Sequence, residues 1–451
     1  MGRITLKQAA LWCGGTVDEK YEHVSFLGAS NDTRSIRPES LFVVLKGARD
    51  GHDFIPDAMS KGASAVLCSR RVGDYPAIYV DDPRLALGKI ARAERQRLTM
   101  KVVAVTGSVG KSTTKEMIAQ VLTGTFKTAK TPVNHNNDIG VPMAILGIPE
   151  GTEAAVLEMG MNHFREIAYL SHIGQPDYSV IVNVGTAHIE YLGSVQGIRQ
   201  AKMEILEGMS QNGRLYLNGD NDMLLNLPEK PRQAITYFGM GESCSVRAEE
   251  VRSGDGKLTF TAVSGDLRFP VMLPMEGMHF VADAMAAVAV GLDLGVAPED
   301  IQSRLAAFEN MEGRQEIIKT DKYTIINDCY NAGPESMAAA LRVLGAQTGR
   351  RIAVLGDMLE LGDCAEAEHY RIGRIAAENA ELVFAYGVNA ERVQIGTVTG
   401  GMSTSKSQCF SDHESMIAAL RRAAKPGDVF LFKGSRGMHM EKVLEGLLKE
   451  S

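Results

Sequence analysis

Val102-Val103-Ala104-Val105-Thr106-Gly107-Ser108-Val109-Gly110-Lys111-Ser112-Thr113-Thr114 is the stretch that decides the fold of this chain. A β-branched run ends in a glycine-rich turn, and a helix-forming stretch follows at once. That order predicts a buried strand, a phosphate loop and a helix whose first turn faces the ligand. Glycines let backbone N–H groups close around phosphate oxygens, and the helix N-terminus adds positive potential. Lys111 suits the β and γ phosphates, and the Ser112 hydroxyl suits Mg²⁺. The plain alternative, a tight turn with a surface lysine, does not explain why strand, glycines, Lys-Ser and helix occur in this order. Only the shorter pattern Gly107-x-x-Gly110-Lys111-Ser112 is present, because Val105 stands where the longer pattern has its first glycine. Thr106, Gly107, Ser108, Val109, Gly110, Lys111, Ser112 and Thr113 are therefore the candidate nucleotide-phosphate residues.

Downstream of the loop, strand and helix patterns repeat. Residues 154–158, 179–183 and 214–218 read as buried strands, with 195–209 helical before the last, so a mostly parallel sheet is expected. Residues 245–271 alternate and carry glycine turns, which predicts antiparallel strands added at an edge. A small-residue helix over 279–294 follows. Beyond Gly313 the rhythm restarts, with strands near 323–327, 352–355, 382–385 and 429–432. Upstream, from Ile4 to about Arg95, short apolar runs at 41–45 and 65–67 describe a smaller α/β unit, and the polar, basic stretch 92–101 marks its end. The expectation is an α/β chain of three domains: a small N-terminal α/β domain at 1–97, a central P-loop domain with a mostly parallel sheet at 98–312, and a Rossmann-like domain at 313–451.

Composition narrows the function. A chain of 451 residues, 45% hydrophobic and 23% charged, has the balance of a globular protein with several cores. Its formal net charge of −7 argues against work on nucleic acid, which calls for a basic face. Six scattered cysteines lack the paired spacing of zinc sites or disulfide frameworks, and no apolar run approaches a membrane span. A cytoplasmic protein with no membrane insertion is expected.

Three further side chains invite chemistry. Glu158 ends a buried strand, where a carboxylate is costly without a cation, although strand tips also carry solvated charges. His188 follows the next strand and reads either as a packing residue or as a ligand at the carboxyl edge of the sheet. Lys202 lies on the following helix, and sequence physics alone leaves it a solvated helix lysine.

The loop and these neighbours resemble the Mur ligase family, whose loop is similar to TGxxGKTTT and whose members share three domains. The likeness spans nearly the whole chain. Asn31 to Ser35, Leu41 to Gly47 and Asp50 to Phe54 resemble the UDP-binding domain of the family's dipeptide-adding branch. Thr131 to Pro142, Asp328 to Ala332, Leu355 to Gly362 and Lys433 to Arg436 resemble later segments of that branch in the same order.

The resemblance implies an ATP-dependent amide ligase with two Mg²⁺. Its substrates would be a UDP-N-acetylmuramoyl-tripeptide and D-alanyl-D-alanine, and its place peptidoglycan precursor synthesis. It implies Lys111, Glu158, His188 and Lys202 as catalytic residues, with metal held by Ser112, Glu158, His188 and a CO₂-derived carbamate on Lys202. Asn137, Asp283, Arg314 and Asp328 would join the ATP site, though an asparagine turn competes for Asn137. Thr33, Arg34, Ser35, Lys46 and Gly47 would hold the uridine diphosphate, and Asn331, Lys433, Ser435 and Arg436 the dipeptide. Where many members read His-Asn-x-x-Asn, this chain has His279-Phe280-Val281-Ala282-Asp283. Asp283 can accept from the adenine amino group; Phe280 cannot imitate an amide. The implied chemistry is attack of the tripeptide carboxylate on the γ-phosphorus, then attack of the dipeptide amine on the acyl phosphate, by a monomer. Other readings are a third-residue-adding or folylpolyglutamate synthetase-like ligase of the same fold, or a P-loop switch without ligase activity. No Asp-Asn-Pro-Arg acceptor motif is present, which favours the dipeptide branch.

Overall fold

The computed structural model describes residues 2–47, 49–71 and 73–449. The phosphate-loop strand, Lys101–Thr106, lies inside a nine-stranded sheet between Ala154–Glu158 and Tyr178–Ile181, parallel to both. Chain order reverses across it: the next two strands lie on one side and the following ones on the other. Ligands of open α/β sheets bind at the carboxyl ends of the strands at such a switch point. Arg214–Asn218 and Ala234–Gly239 extend the parallel part. Val246–Gly254, Lys257–Ser264 and Leu267–Leu273 form the antiparallel edge that the alternating pattern predicts.

The helices Lys111–Leu122, Phe280–Asp293 and Pro298–Ala306 lie over one face of this sheet and share one apolar cluster. The small residues of the second helix allow a close approach: a Cβ on Gly291 would stand 2.6 Å from Val121 Cγ1. The opposite face shares a continuous core with the N-terminal unit, whose helices Leu6–Cys13 and Pro83–Arg97 contribute to it. That unit carries a five-stranded sheet, parallel except for its edge strand Thr16–Val17.

The stretch 92–101, expected as a polar boundary, is instead mostly the last turns of the helix Pro83–Arg97. Its Arg95 is buried and donates to the carbonyls of Gly174 at 2.9 Å and Gln175 at 3.2 Å, tying that helix to the middle sheet. The helix expected over 195–209 also ends earlier, at Met203, and passes into a 3₁₀ turn, Glu204–Leu206. There the Glu204 carboxylate accepts from Arg165 N and draws the chain towards the Glu166–Gly174 helix.

The C-terminal unit has a six-stranded sheet, parallel except for Glu316–Lys319 at its edge, with an apolar cluster on each face. Tyr323–Asp328, Arg351–Gly356, Leu382–Tyr386 and Asp428–Lys433 are the strands expected from the sequence, each one or two residues longer. No helix among the described residues is long and apolar enough to cross a membrane.

Candidate active site

A cleft of about 1030 Å³ opens where the carboxyl ends of the middle sheet meet the C-terminal unit. Its floor is the phosphate loop. Gly110 has φ 82°, a left-handed conformation, and a Cβ there would lie 2.6 Å from Asp283 Oδ1. Lys111 Nζ donates to the carbonyls of Gly107 at 2.8 Å and Ser108 at 3.3 Å. Burial pulls the Lys111 ammonium down from its ordinary value, Glu158 opposes that pull and Arg314 adds to it.

Asn183, which sequence reading assigned only to a strand end, stitches the loop together. Its Oδ1 accepts from Ser108 N at 2.9 Å and Val109 N at 3.0 Å, while its Nδ2 donates to Val109 O at 2.9 Å. Asp283 supports the loop from beneath by accepting from Thr114 Oγ1 at 2.6 Å. Burial raises its carboxyl to about 7, against the opposing pulls of Thr114 and Arg314. The structure thus places Asp283 against the loop glycine and the first helical turn, with Phe280 buried beside His279. Burial also lowers the His279 imidazole to about 4.

Glu158 is buried at its strand end, where Oε1 accepts from Asn136 Nδ2 at 2.9 Å and Oε2 lies 3.7 Å from Lys115 Nζ. His188 adopts φ 65°, and its Nδ1 is 2.6 Å from Glu360 Oε2 of the C-terminal unit. Glu360 is also left-handed, at φ 63°, and its bond to His188 holds its carboxyl below the usual range. Two non-glycine residues in this region cost roughly 1 kcal/mol each or more, a strain typical of functional sites. Pinning Nδ1 to a carboxylate leaves Nε2 as the nitrogen able to ligate, the arrangement usual for metal-binding histidines.

Lys202 is not the solvated helix lysine that sequence physics alone suggests. It is buried, and burial first and the charge of Lys111 second push its amine well below the ordinary value. The charge that reaches it is the Lys111 ammonium, not a carboxylate. Nor do three or more His, Cys, Asp or Glu side chains among those residues stand together as a metal cage. Magnesium asks for less, since it commonly takes one or two protein oxygens beside phosphate and water.

From across the cleft, Arg314 stacks on the Tyr330 ring at 3.9 Å and donates to Ser112 Oγ at 2.9 Å. Asp328 and Lys433, expected to serve nucleotide and dipeptide separately, form one buried ion pair at 2.6 Å, and Lys433 also donates to Asn331 O at 3.0 Å. Ser435 is buried, donates to Ala332 O and accepts from Leu359 N, whereas Asn331 and Arg436 are exposed at the cleft. Breaking one member of a buried pair strands the other charge, at about 3 kcal/mol. Lys433→Met is expected to destabilise the C-terminal unit by that amount in urea unfolding, with Asp328→Asn added restoring part of the loss. An additive double variant would refute the coupling.

Asn137 forms an asparagine turn, its Oδ1 accepting from Ile139 N and Gly140 N, while it borders the cleft. Thr33, Arg34, Ser35, Lys46 and Gly47 are not among the cleft residues. They belong to the N-terminal unit, where Arg34 and Asp32 pair at 2.6 Å, and the bonds from Arg34 hold the Asp32 carboxyl near 2.

A phosphate loop at the switch point of a parallel sheet, closed from across by a second α/β unit, defines a nucleotide-binding protein whose site is shared between units. The chain belongs to the Mur ligase family. Residues 105–291 match the Mur ligase middle domain, and residues 313–436 match the Mur ligase, glutamate ligase domain. It is 39% identical over 455 residues to the UDP-N-acetylmuramoyl-tripeptide–D-alanyl-D-alanine ligase of Bacillus subtilis (strain 168), covering 99% of this chain and 98% of that protein. A crystal structure of MurF from Acinetobacter baumannii superposes with a TM-score of 0.91 at 33% identity, covering 100% of both chains. MurF ligase from Thermotoga maritima in complex with ADP gives 0.81 at 30% identity, covering 93% of this chain and 97% of that one.

Proposed function

We propose that this chain joins D-alanyl-D-alanine to UDP-N-acetylmuramoyl-tripeptide with ATP, giving the pentapeptide, ADP and phosphate for peptidoglycan synthesis. The carrying observation is a phosphate loop closed against the C-terminal unit in a chain similar over its whole length to ligases of that name. The loop amides and Lys111 hold the polyphosphate, Arg314 meets it from the opposite wall, and Asn183 and Asp283 keep the loop in shape. Asn137 and Asp328 border the nucleotide side, and Asn331, Lys433, Ser435 and Arg436 the dipeptide side. Thr33, Arg34, Ser35, Lys46 and Gly47 are proposed for the uridine diphosphate. The closed wall keeps water from the acyl phosphate until the amine arrives.

Ser112 Oγ, Glu158, His188 Nε2 and a carbamate on Lys202 would hold magnesium, which when bound supplies positive charge to the phosphoryl group in transfer. The low proton affinity of Lys202 supports that carbamate: a neutral amine adds to CO₂ and releases one proton, leaving an anionic oxygen donor. Three functional units at 1–97, 98–312 and 313–451, a monomeric state and a cytoplasmic site of action complete the reading. All six cysteines being unpaired agrees with the last.

The test is turnover followed by mass. Protein, ATP, Mg²⁺ and UDP-muramoyl-tripeptide should yield pentapeptide only when D-alanyl-D-alanine is added. Equal use of single D-amino acids or L-glutamate would sink the assignment.

A further inference from the structure

Glu335 stands in the first turn of the C-terminal helix Pro334–Gly345 and reaches across to the middle unit. Its Oε1 accepts from Thr186 N at 2.9 Å and Thr186 Oγ1 at 3.0 Å. The backbone beneath is so close that a Cβ on Gly185 would lie 2.7 Å from the carboxylate, and Gly185 N itself donates to Ser108 Oγ of the phosphate loop at 2.9 Å. The carboxylate is therefore separated from the loop by a single residue. Its other oxygen, Oε2, is buried without a hydrogen-bond partner among the described residues.

A carboxylate oxygen withdrawn from water and left unpaired is costly, and a neighbouring polyphosphate repels it further. Such a position is tolerable if a cation with N–H donors arrives during the reaction. The acceptor supplies one, because a dipeptide enters with an ammonium at the end that must react.

We infer that Glu335 is the seat of the acceptor's amino group. One oxygen is held rigid by Thr186 while Oε2 receives the N–H donors, at the seam where the acyl phosphate is formed. Arg436, only loosely paired with Glu441 at 3.7 Å, lines the same cleft and offers a guanidinium to the dipeptide's far carboxylate. This rests on the D-alanyl-D-alanine reading above.

Steady-state kinetics of Glu335→Gln and Glu335→Ala test it, with hydroxylamine as a second acceptor. Hydroxylamine is largely uncharged at neutral pH and needs no ammonium seat, so the tripeptide hydroxamate reports acyl-phosphate formation alone. The KM for D-alanyl-D-alanine is expected to rise about 30-fold or more, the loss usual when a charged hydrogen-bond partner is removed. The KM values for ATP and UDP-muramoyl-tripeptide, and the hydroxamate yield, should stay near those of the unaltered protein. A dipeptide KM that hardly moves would overturn the proposal. So would a hydroxamate yield that falls in step with pentapeptide, since Glu335 would then serve closure or magnesium. If the unaltered protein makes hydroxamate but no pentapeptide, the dipeptide reading itself fails and the seat with it.

Discussion

Replacing Lys202 by methionine should stop turnover and make the protein more stable. The amine is buried with its proton affinity depressed by burial and by Lys111, so the folded chain binds fewer protons than the unfolded one between that depressed value and the ordinary 10.5. Stability tied to this residue is full above 10.5 and is lost as the pH falls toward the depressed folded value. Methionine keeps the volume and removes that penalty. In CO₂-free buffer at neutral pH, Lys202→Met should gain roughly 1–3 kcal/mol in urea unfolding of the middle unit. The advantage should shrink to nothing as the pH passes 10.5. Turnover should fall on the order of 10³-fold, because the anionic donor that the carbamate would provide is gone. Lys202→Ala should recover part of its rate with formate or acetate, which can stand in for the lost carboxylate, and Lys202→Arg should not. A Met variant that keeps a tenth of the activity, or that unfolds earlier than the unaltered protein at neutral pH, would rule out this account.

Lys202 also marks the limit of what a sequence can say. Its helix was legible from spacing, but its burial comes from neighbours that the fold brings together, and a lysine on an amphipathic helix has no local sign of that fate. Local patterns did well where the physics is local. The strands Ala154–Glu158 and Arg214–Asn218 occupy the residues expected, and the antiparallel edge follows its alternation. The pattern failed where a tertiary contact overrides it, as when Glu204 ends the Val195–Met203 helix by reaching Arg165 N. Contacts that close the cleft were invisible for the same reason. Glu360 meets His188 across 172 residues and Glu335 meets Thr186 across 149, separations that no periodicity records. Asn183 was within reach: although the strand expected over 179–183 is Tyr178–Ile181, an amide just past a buried strand still needs partners, and the adjacent loop had amides to offer.

Lys111 and Lys115 lie one turn apart on the helix Lys111–Leu122, and their alanine variants should fail in opposite ways. Among the described residues Lys111 bonds only to loop carbonyls that the polyphosphate can replace as its partners, so its removal leaves the apolar core untouched. Lys111→Ala should retain the unfolding midpoint within a few tenths of a kcal/mol, yet lose turnover on the order of 10³-fold or more, with ADP release lost as well as pentapeptide. Lys115 is fully buried, donates to Thr131 O at 2.9 Å and lies 3.1 Å from Glu116 and 3.7 Å from Glu158. Lys115→Ala takes the paired cation from buried Glu158, whereas Glu116 keeps Lys130, and about 3 kcal/mol of stability should go with it. Some activity should survive at low temperature, since the phosphate loop keeps its own lysine. Urea unfolding and ADP release measured on both variants separate the two roles. If Lys115→Ala proved as stable as the unaltered protein while Lys111→Ala unfolded early, the assignment of one lysine to chemistry and the other to the fold would have to be exchanged.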